Sequence, residues 1–364
     1  MIQDISRGKA HGNMKSLQFR KISQIDFTEK QPLTIVNLFA HSNEYDWIEP
    51  ELRAADINVF TFRMTAPNKK INFIRGAWIA LKAIWVARKN NAVLFSHAIE
   101  AANTVGFLMY LPGLRLQHIA YTWHFRLYPA RKRQIIALNL VKKNIDAYVV
   151  HSKIEEDSIP DSFDIPPEKI YTAYWAYENK PDVSNEPAKI TGDYICTIGA
   201  SQRDYKTLFE AMRKIPDKNL IVVCRPYNVE GLDIPANVEI HTLVTLSDCW
   251  NYIKHCKIFV LPLPAATTVT GHSVLVQAMR ERKPCIVTDA ASMQFYAEDN
   301  VTVKMVDVGD AAAIATEINA LWDDPERASE LADHGHQFAE ANFSQTAVAS
   351  AFFNAIGYTP ENKS

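Results

Sequence analysis

Strand-like and helix-like segments alternate along this chain in two separate runs, with a polar break between them. In the first run, Leu33–Ala40, Ile57–Met64, Ala92–His97, Leu116–His124 and Ala147–Ser152 read as strands. Tyr45–Ala55, Phe73–Lys89, Ala101–Tyr110 and Pro129–Asn144 read as helices between them. Asn179–Gly192 (NKPDVSNEPAKITG) has no periodicity, and the alternation then restarts. Asp193–Ala200, Leu220–Arg225, Val238–Val244, Ile258–Leu263 and Cys285–Thr288 read as strands. Asp204–Lys214, Asp310–Trp322, Pro325–Asn342 and Ser344–Ala355 read as helices. Such alternation requires crossover connections, and hence parallel, doubly wound sheets with helices on both faces. At 364 residues, two cores are expected rather than one.

The composition is that of a soluble globular protein, with 48% hydrophobic and 22% charged residues. No uncharged apolar run reaches membrane-spanning length. The first 21 residues lack an apolar h-region and read as a basic tail without a secretory signal. Five cysteines, none in a C-x-x-C pair, point to a reducing cytoplasm and away from structural zinc. Residues 1–180 hold 24 Lys/Arg and 17 Asp/Glu, while the remainder holds 15 and 24. A basic first half could face anionic lipid, a phosphate-bearing acceptor or nucleic acid.

Chemistry is most legible in IFVLPLPAATTVTGHSVLVQAMRERKPCIVTD, residues Ile258–Asp289. A strand, a Thr-rich loop and a helix start meet at Gly271, His272 and Ser273. Unpaired N–H groups and the helix dipole make such a start attractive to phosphate. The order "vlPlp…tGHSvLvqAMrerkPcIVTd" resembles the nucleotide-sugar site of GT-B glycosyltransferases, closest to the retaining family 4 type. "RDYKTL" (Arg203–Leu208) and "DAYVVHSKIEED" (Asp146–Asp157, read as a strand) resemble motifs of the same family. The resemblance implies an α/β GT-B fold, with two Rossmann-like doubly wound domains facing across a cleft. Its expected layout is a tail (1–31), an acceptor-binding domain (32–180), a linker (181–192) and a donor-binding domain (193–343). A last helix (344–364 with the tail) would cross back onto the first domain.

The resemblance also implies roles. Arg203 and Lys206, cations at a helix N-terminus where the dipole disfavours them, would clamp the donor diphosphate. Surface ion pairing is the alternative. Arg225 ends an apolar strand and would meet diphosphate or base, or form a salt bridge. Val244 is the position whose backbone would read the nucleobase. Thr270, Gly271 and Ser273 would hold phosphate, and His272 would stabilise charge on the leaving nucleotide. The family's two glutamates are replaced, by Val269 and Gln277, and its glycine after "AM" by Arg282. Gln277 retains amide hydrogen bonding toward ribose hydroxyls, and Thr268 or Thr270 could substitute at the first position. On the acceptor side, His124 would lie beside the donor sugar, with His41, Ser42, Asn43 and His97 along strand ends. Glu100 would be the base of an inverting reaction.

Two helices, Phe73–Lys89 and the basic one at 129–144, mix aromatic or apolar residues with cations. They suit an anionic membrane surface, or equally a core contact with a solvated basic back. P-loop, H-E-x-x-H, G-x-S-x-G and strand-following G-x-G-x-x-G motifs are all missing. The expectation is a metal-independent, cofactor-free glycosyltransferase of the cytoplasm or inner membrane face. It would move sugar from a nucleotide-sugar donor to a glycan or lipid-linked acceptor and would bind no nucleic acid. A GT-B nucleotide-sugar epimerase and an inactive nucleotide-binding scaffold stay open.

Overall fold

The computed structural model describes residues 22, 33–40, 49–65, 73–121, 132–176, 186–265, 270–356 and 358. The first half runs β1 (Thr34–Phe39), α1 (Glu49–Ala54), β2 (Asn58–Arg63), α2 (Phe73–Lys89), β3 (Val93–His97) and α3 (Ile99–Leu108). It continues with β4 (His118–Tyr121), α4 (Lys132–Val141), β5 (Ala147–Val150), α5 (Lys153–Phe163) and β6 (Ile170–Thr172). Its six strands are all parallel, in the order β2-β1-β3-β4-β5-β6. The second half runs β7 (Ile195–Ile198), α6 (Tyr205–Met212), β8 (Leu220–Cys224), β9 (Val238–Thr242), α7 (Leu246–His255) and β10 (Ile258–Leu261). Then come α8 (His272–Arg280), β11 (Cys285–Thr288), β12 (Lys304–Val306), α9 (Ala311–Asp323), α10 (Pro325–Phe343) and α11 (Gln345–Ile356). This sheet too is parallel throughout, in the order β12-β11-β10-β7-β8-β9.

Strand order therefore reverses between β1 and β3 in one sheet and between β7 and β10 in the other. In doubly wound sheets the crevice for a ligand opens at that reversal, beyond the strands' C-terminal ends. The sequence follows from burial. Strands covered on both faces read as near-continuous apolar runs, and β1, β7, β8, β10 and β11 are buried along their whole length. α11 returns to the first sheet, where Phe352 meets Phe95 edge-on at 5.6 Å and the Ile22 N–H donates to the Ala355 carbonyl at 2.8 Å. Cys196, Cys224, Cys256 and Cys285 are buried and, like Cys249, free thiols.

Several elements differ from the sequence expectation. Asp146–Asp157 is not one strand: β5 ends at Val150, and Ser152 caps a helix by accepting the Glu155 N–H. Glu155 is buried and accepts in return from the His151 N–H and the Ser152 hydroxyl. Pro160 and the acidic residues hid this helix from periodicity. α7 was hidden as well, because Trp250, Asn251, Tyr252 and Ile253 are all buried and leave no simple stripe. Its Asn251 amide accepts from the Lys189 N–H at 3.2 Å and donates to the Pro187 carbonyl at 3.0 Å, pinning the described part of the linker. The third strand of the second half stops at Thr242, where Leu243 turns left-handed with φ 59°. β6 and β12 have three residues each, too few for a pattern. On α2 the core face is Ala80, Ala83, Ile84 and Ala87, while Trp78 and Trp85 look outward. α2 is thus a core-facing helix with a solvated basic back, and both tryptophans lie on its exposed side.

Candidate nucleotide-sugar site

The two strands flanking the second sheet's reversal, β7 and β10, carry the candidate site at their C-terminal ends. After β7, Gly199 (φ 142°) lets the chain fold back so that the Arg203 guanidinium lies against it. A Cβ built at Gly199 would sit 2.4 Å from Arg203 Nη2, so only glycine leaves that space. Arg203 donates through Nη1 to the Ser201 carbonyl (2.7 Å) and to Thr270 Oγ1 (3.2 Å), and through Nε to the Ile198 carbonyl (3.3 Å). Thr270 Oγ1 donates in turn to the Ser201 carbonyl at 2.8 Å. Among the described residues Arg203 has no carboxylate partner. Burial pulls its guanidinium down to about 10, which still leaves it charged at neutral pH.

Thr270 leads directly into α8. Gly271 is left-handed (φ 87°), and a Cβ there would meet the Leu261 side chain at 3.0 Å. Ser152, Asp204, Thr245, Asp310 and Asp324 each close the N-terminus of their helix with a side chain. α8 has no side-chain cap. A cation and an uncapped helix start thus meet across the switch point, an arrangement that can neutralise an anion held between them. Thr288 steadies the β10 end by accepting the Leu263 N–H at 3.0 Å.

The other expected residues fall at different distances from this pair. His272 is buried, its ring 5.2 Å from Trp175 and 5.4 Å from Tyr296. Ser273 is exposed on the first turn of α8, and Lys206 is exposed on the first turn of α6 without an ion pair among the described residues. Gln277, six residues beyond Gly271 on α8, is buried and donates through Nε2 to Glu281 at 3.3 Å. Arg225 is exposed at the end of β8, and the loop after it is tied to the β7 end by Asn228 donating to the Ala200 carbonyl. Val244 packs on the main apolar core. Glu100 is exposed in the first turn of α3. His97 turns inward: it stacks on Phe39 at 4.0 Å and meets Asn37 Oδ1 at 3.2 Å. Burial, with Arg63 and His151 nearby, holds it down at about 3, so it is neutral. His41, Ser42, Asn43, His124, Thr268 and Val269, also expected at the site, lie outside the described residues. Among the described residues no cluster of three or more His, Cys, Asp or Glu could hold a metal ion.

Sequence reasoning missed the junction behind the site. The Tyr296 hydroxyl donates to the His151 carbonyl (3.0 Å) and accepts the Trp175 N–H (3.1 Å), linking the second half to the first. His151 and Trp175 rings meet at 5.1 Å, so aromatic contacts run from the first core to His272. No local pattern announces such a contact, because its members are far apart in sequence.

Residues 192–324 match the family model described as "Glycosyl transferases group 1". Over those residues the chain is similar to a group 1 glycosyltransferase domain. The lipopolysaccharide core biosynthesis glycosyltransferase LpsE of Rhizobium meliloti (strain 1021) is 26% identical over 164 residues, which are 44% of this chain and 47% of that protein. The match thus spans about half of that relative's length. Anabaena HepE, solved with UDP and glucose, superposes with a TM-score of 0.66 at 14% identity, covering 89% of this chain and 99% of that one. Sucrose-phosphate synthase from Thermosynechococcus elongatus gives 0.63 at 16% identity, covering 88% and 97%. The fold that the two halves share with these structures is GT-B.

Proposed function

We propose that this protein is a glycosyltransferase that takes a sugar from a nucleotide-diphosphate donor to a glycan or lipid-linked acceptor. The observation that carries the reading is Arg203. A half-buried guanidinium with no carboxylate among the described residues, hydrogen-bonded to the residue before an uncapped helix start, suits a diphosphate. In the reaction, the bond from the anomeric carbon to the β-phosphate oxygen breaks, with its electron pair leaving on oxygen. Arg203 and the α8 amides offset the charge that develops there, and the acceptor oxygen bonds to the anomeric carbon. In an inverting course, the exposed Glu100 carboxylate takes the acceptor proton. HepE was solved with UDP and with UDP-glucose, which makes uridine donors the first to try. The match to a lipopolysaccharide core biosynthesis glycosyltransferase supports surface polysaccharide or glycolipid assembly.

The test is a thermal-shift panel of nucleotide sugars, followed by release of nucleoside diphosphate with and without saccharide acceptors. Stabilisation by one donor and acceptor-dependent release support the reading. No stabilisation by any donor would refute it. Gln277 favours a second reading, because its amide is committed to Glu281. A nucleotide-binding protein without turnover would be stabilised by UDP yet release nothing.

A further inference from the structure

Of the Lys and Arg residues, 14 fall within residues 57–145, a stretch that holds one acidic residue, Glu100. A chain of net charge −2 thus carries a segment of net charge +13. The structure shows where its described part goes. α2 contains no acidic residue. Ile74, Trp78, Lys82, Trp85 and Lys89 follow one another at intervals of three and four residues, and so lie within about 80° of the helix circumference. All five are exposed; Ile74 is 80% accessible, Trp78 60% and Trp85 62%. Lys82 Nζ and Lys89 Nζ each hover 5.5 Å over the Trp78 and Trp85 rings.

The neighbouring helices extend this face. α3 lies beside α2, and Phe107 at its end is exposed. α4 lies beside α3 and exposes Ile136 and Leu140, one turn apart. The Tyr110 hydroxyl, just past α3, donates to the Leu140 carbonyl of α4, and Arg88 of α2 donates at 3.0 Å to the Arg115 carbonyl in the loop that follows α3. Large apolar side chains clustered this way are uncommon on a face with no partner.

We propose that the α2–α3–α4 face is a docking surface for an anionic lipid bilayer. Tryptophans enter the headgroup region, while the lysine stems beside them lie along apolar surface and keep their ammonium groups at the phosphates. Each cation near an anionic surface tightens binding about fivefold. A second copy of the chain fits poorly, since it would set this positive face against its equal. No helix among the described residues is long and apolar enough to cross a membrane, so this contact is peripheral in kind. The proposal goes beyond sugar transfer, and its test uses no sugar donor, so the two can fail separately.

The experiment is flotation of the full chain with vesicles of phosphatidylcholine, alone or mixed with phosphatidylglycerol. We expect binding to the mixed vesicles that weakens as salt rises. Trp78→Ser with Trp85→Ser should lower partitioning at least tenfold, and Lys82→Gln with Lys89→Gln, which removes two cations, about 25-fold. All four side chains are exposed, so both variants should melt with the wild type. The proposal is overturned by failure to float, by equal binding to neutral vesicles, or by binding that survives both variants. It is overturned equally by a wild-type dimer that the tryptophan variant dissolves, or by heparin binding alone.

Discussion

Gly199→Ala tests the site through a residue that touches no substrate. The added Cβ would sit 2.4 Å from Arg203 Nη2 and 2.6 Å from Cζ. Arg203 is the far end of a flexible chain, so it moves and the backbone largely stays. It then surrenders its bonds to Ile198, Ser201 and Thr270. A charge-assisted hydrogen bond contributes about 1.5–3 kcal/mol, so diphosphate affinity should fall roughly 10- to 150-fold. Strain at φ 142° costs a further ~1–3 kcal/mol of stability. Calorimetric titration with UDP reads the affinity and urea unfolding the stability. A double-mutant cycle supplies the decisive number. If Gly199→Ala acts by displacing Arg203, adding it to Arg203→Ala changes affinity little. Two independent, multiplying losses would refute the reasoning, as would unchanged affinity in Gly199→Ala.

Burial holds His97 at about 3 and His118 at about 4, against an ordinary 6.5, so below pH 6.5 the unfolded chain binds protons that the folded one refuses. Stability should therefore fall with pH by about 1.4 kcal/mol per unit per histidine, on the order of 4 kcal/mol for the two by pH 5. Urea unfolding at both pH values checks this, and His97→Gln should remove about half the slope. Tyr296→Phe strips a partner from the His151 carbonyl and the Trp175 N–H, for a loss of ~2–4 kcal/mol by urea unfolding. A loss under about 0.5 kcal/mol would mean that the hydroxyl does not hold the two halves. Gly335→Ala improves α10 propensity by about 1 kcal/mol. Its Cβ nevertheless falls 2.7 Å from the Thr302 carbonyl oxygen, so a net loss of ~1–3 kcal/mol should appear as a lower melting temperature.

How much of this was legible depended on the range of each contact. The strands of both parallel sheets are short apolar runs because helices cover them on both faces, and that signal is local. Gly271 and Arg203 were legible for the same reason: one sits at a strand–helix junction, the other at the start of α6. What periodicity lost were elements whose stripe is broken: α5 by Pro160, and α7 by burial of four consecutive residues. His97 shows the limit of reasoning from strand ends. Its position is at the edge that carries ligands, but Phe39 and Asn37 draw its ring into the core. Only the fold brings Tyr296 to His151, 145 residues away.

The most direct measurement is a crystal structure of the protein soaked with UDP. We predict the diphosphate between the Arg203 guanidinium and the first amides of α8, within 3.2 Å of both. Diphosphate bound elsewhere on the molecule, with Arg203 still holding Ser201 and Thr270 and nothing at Gly271, would contradict the account.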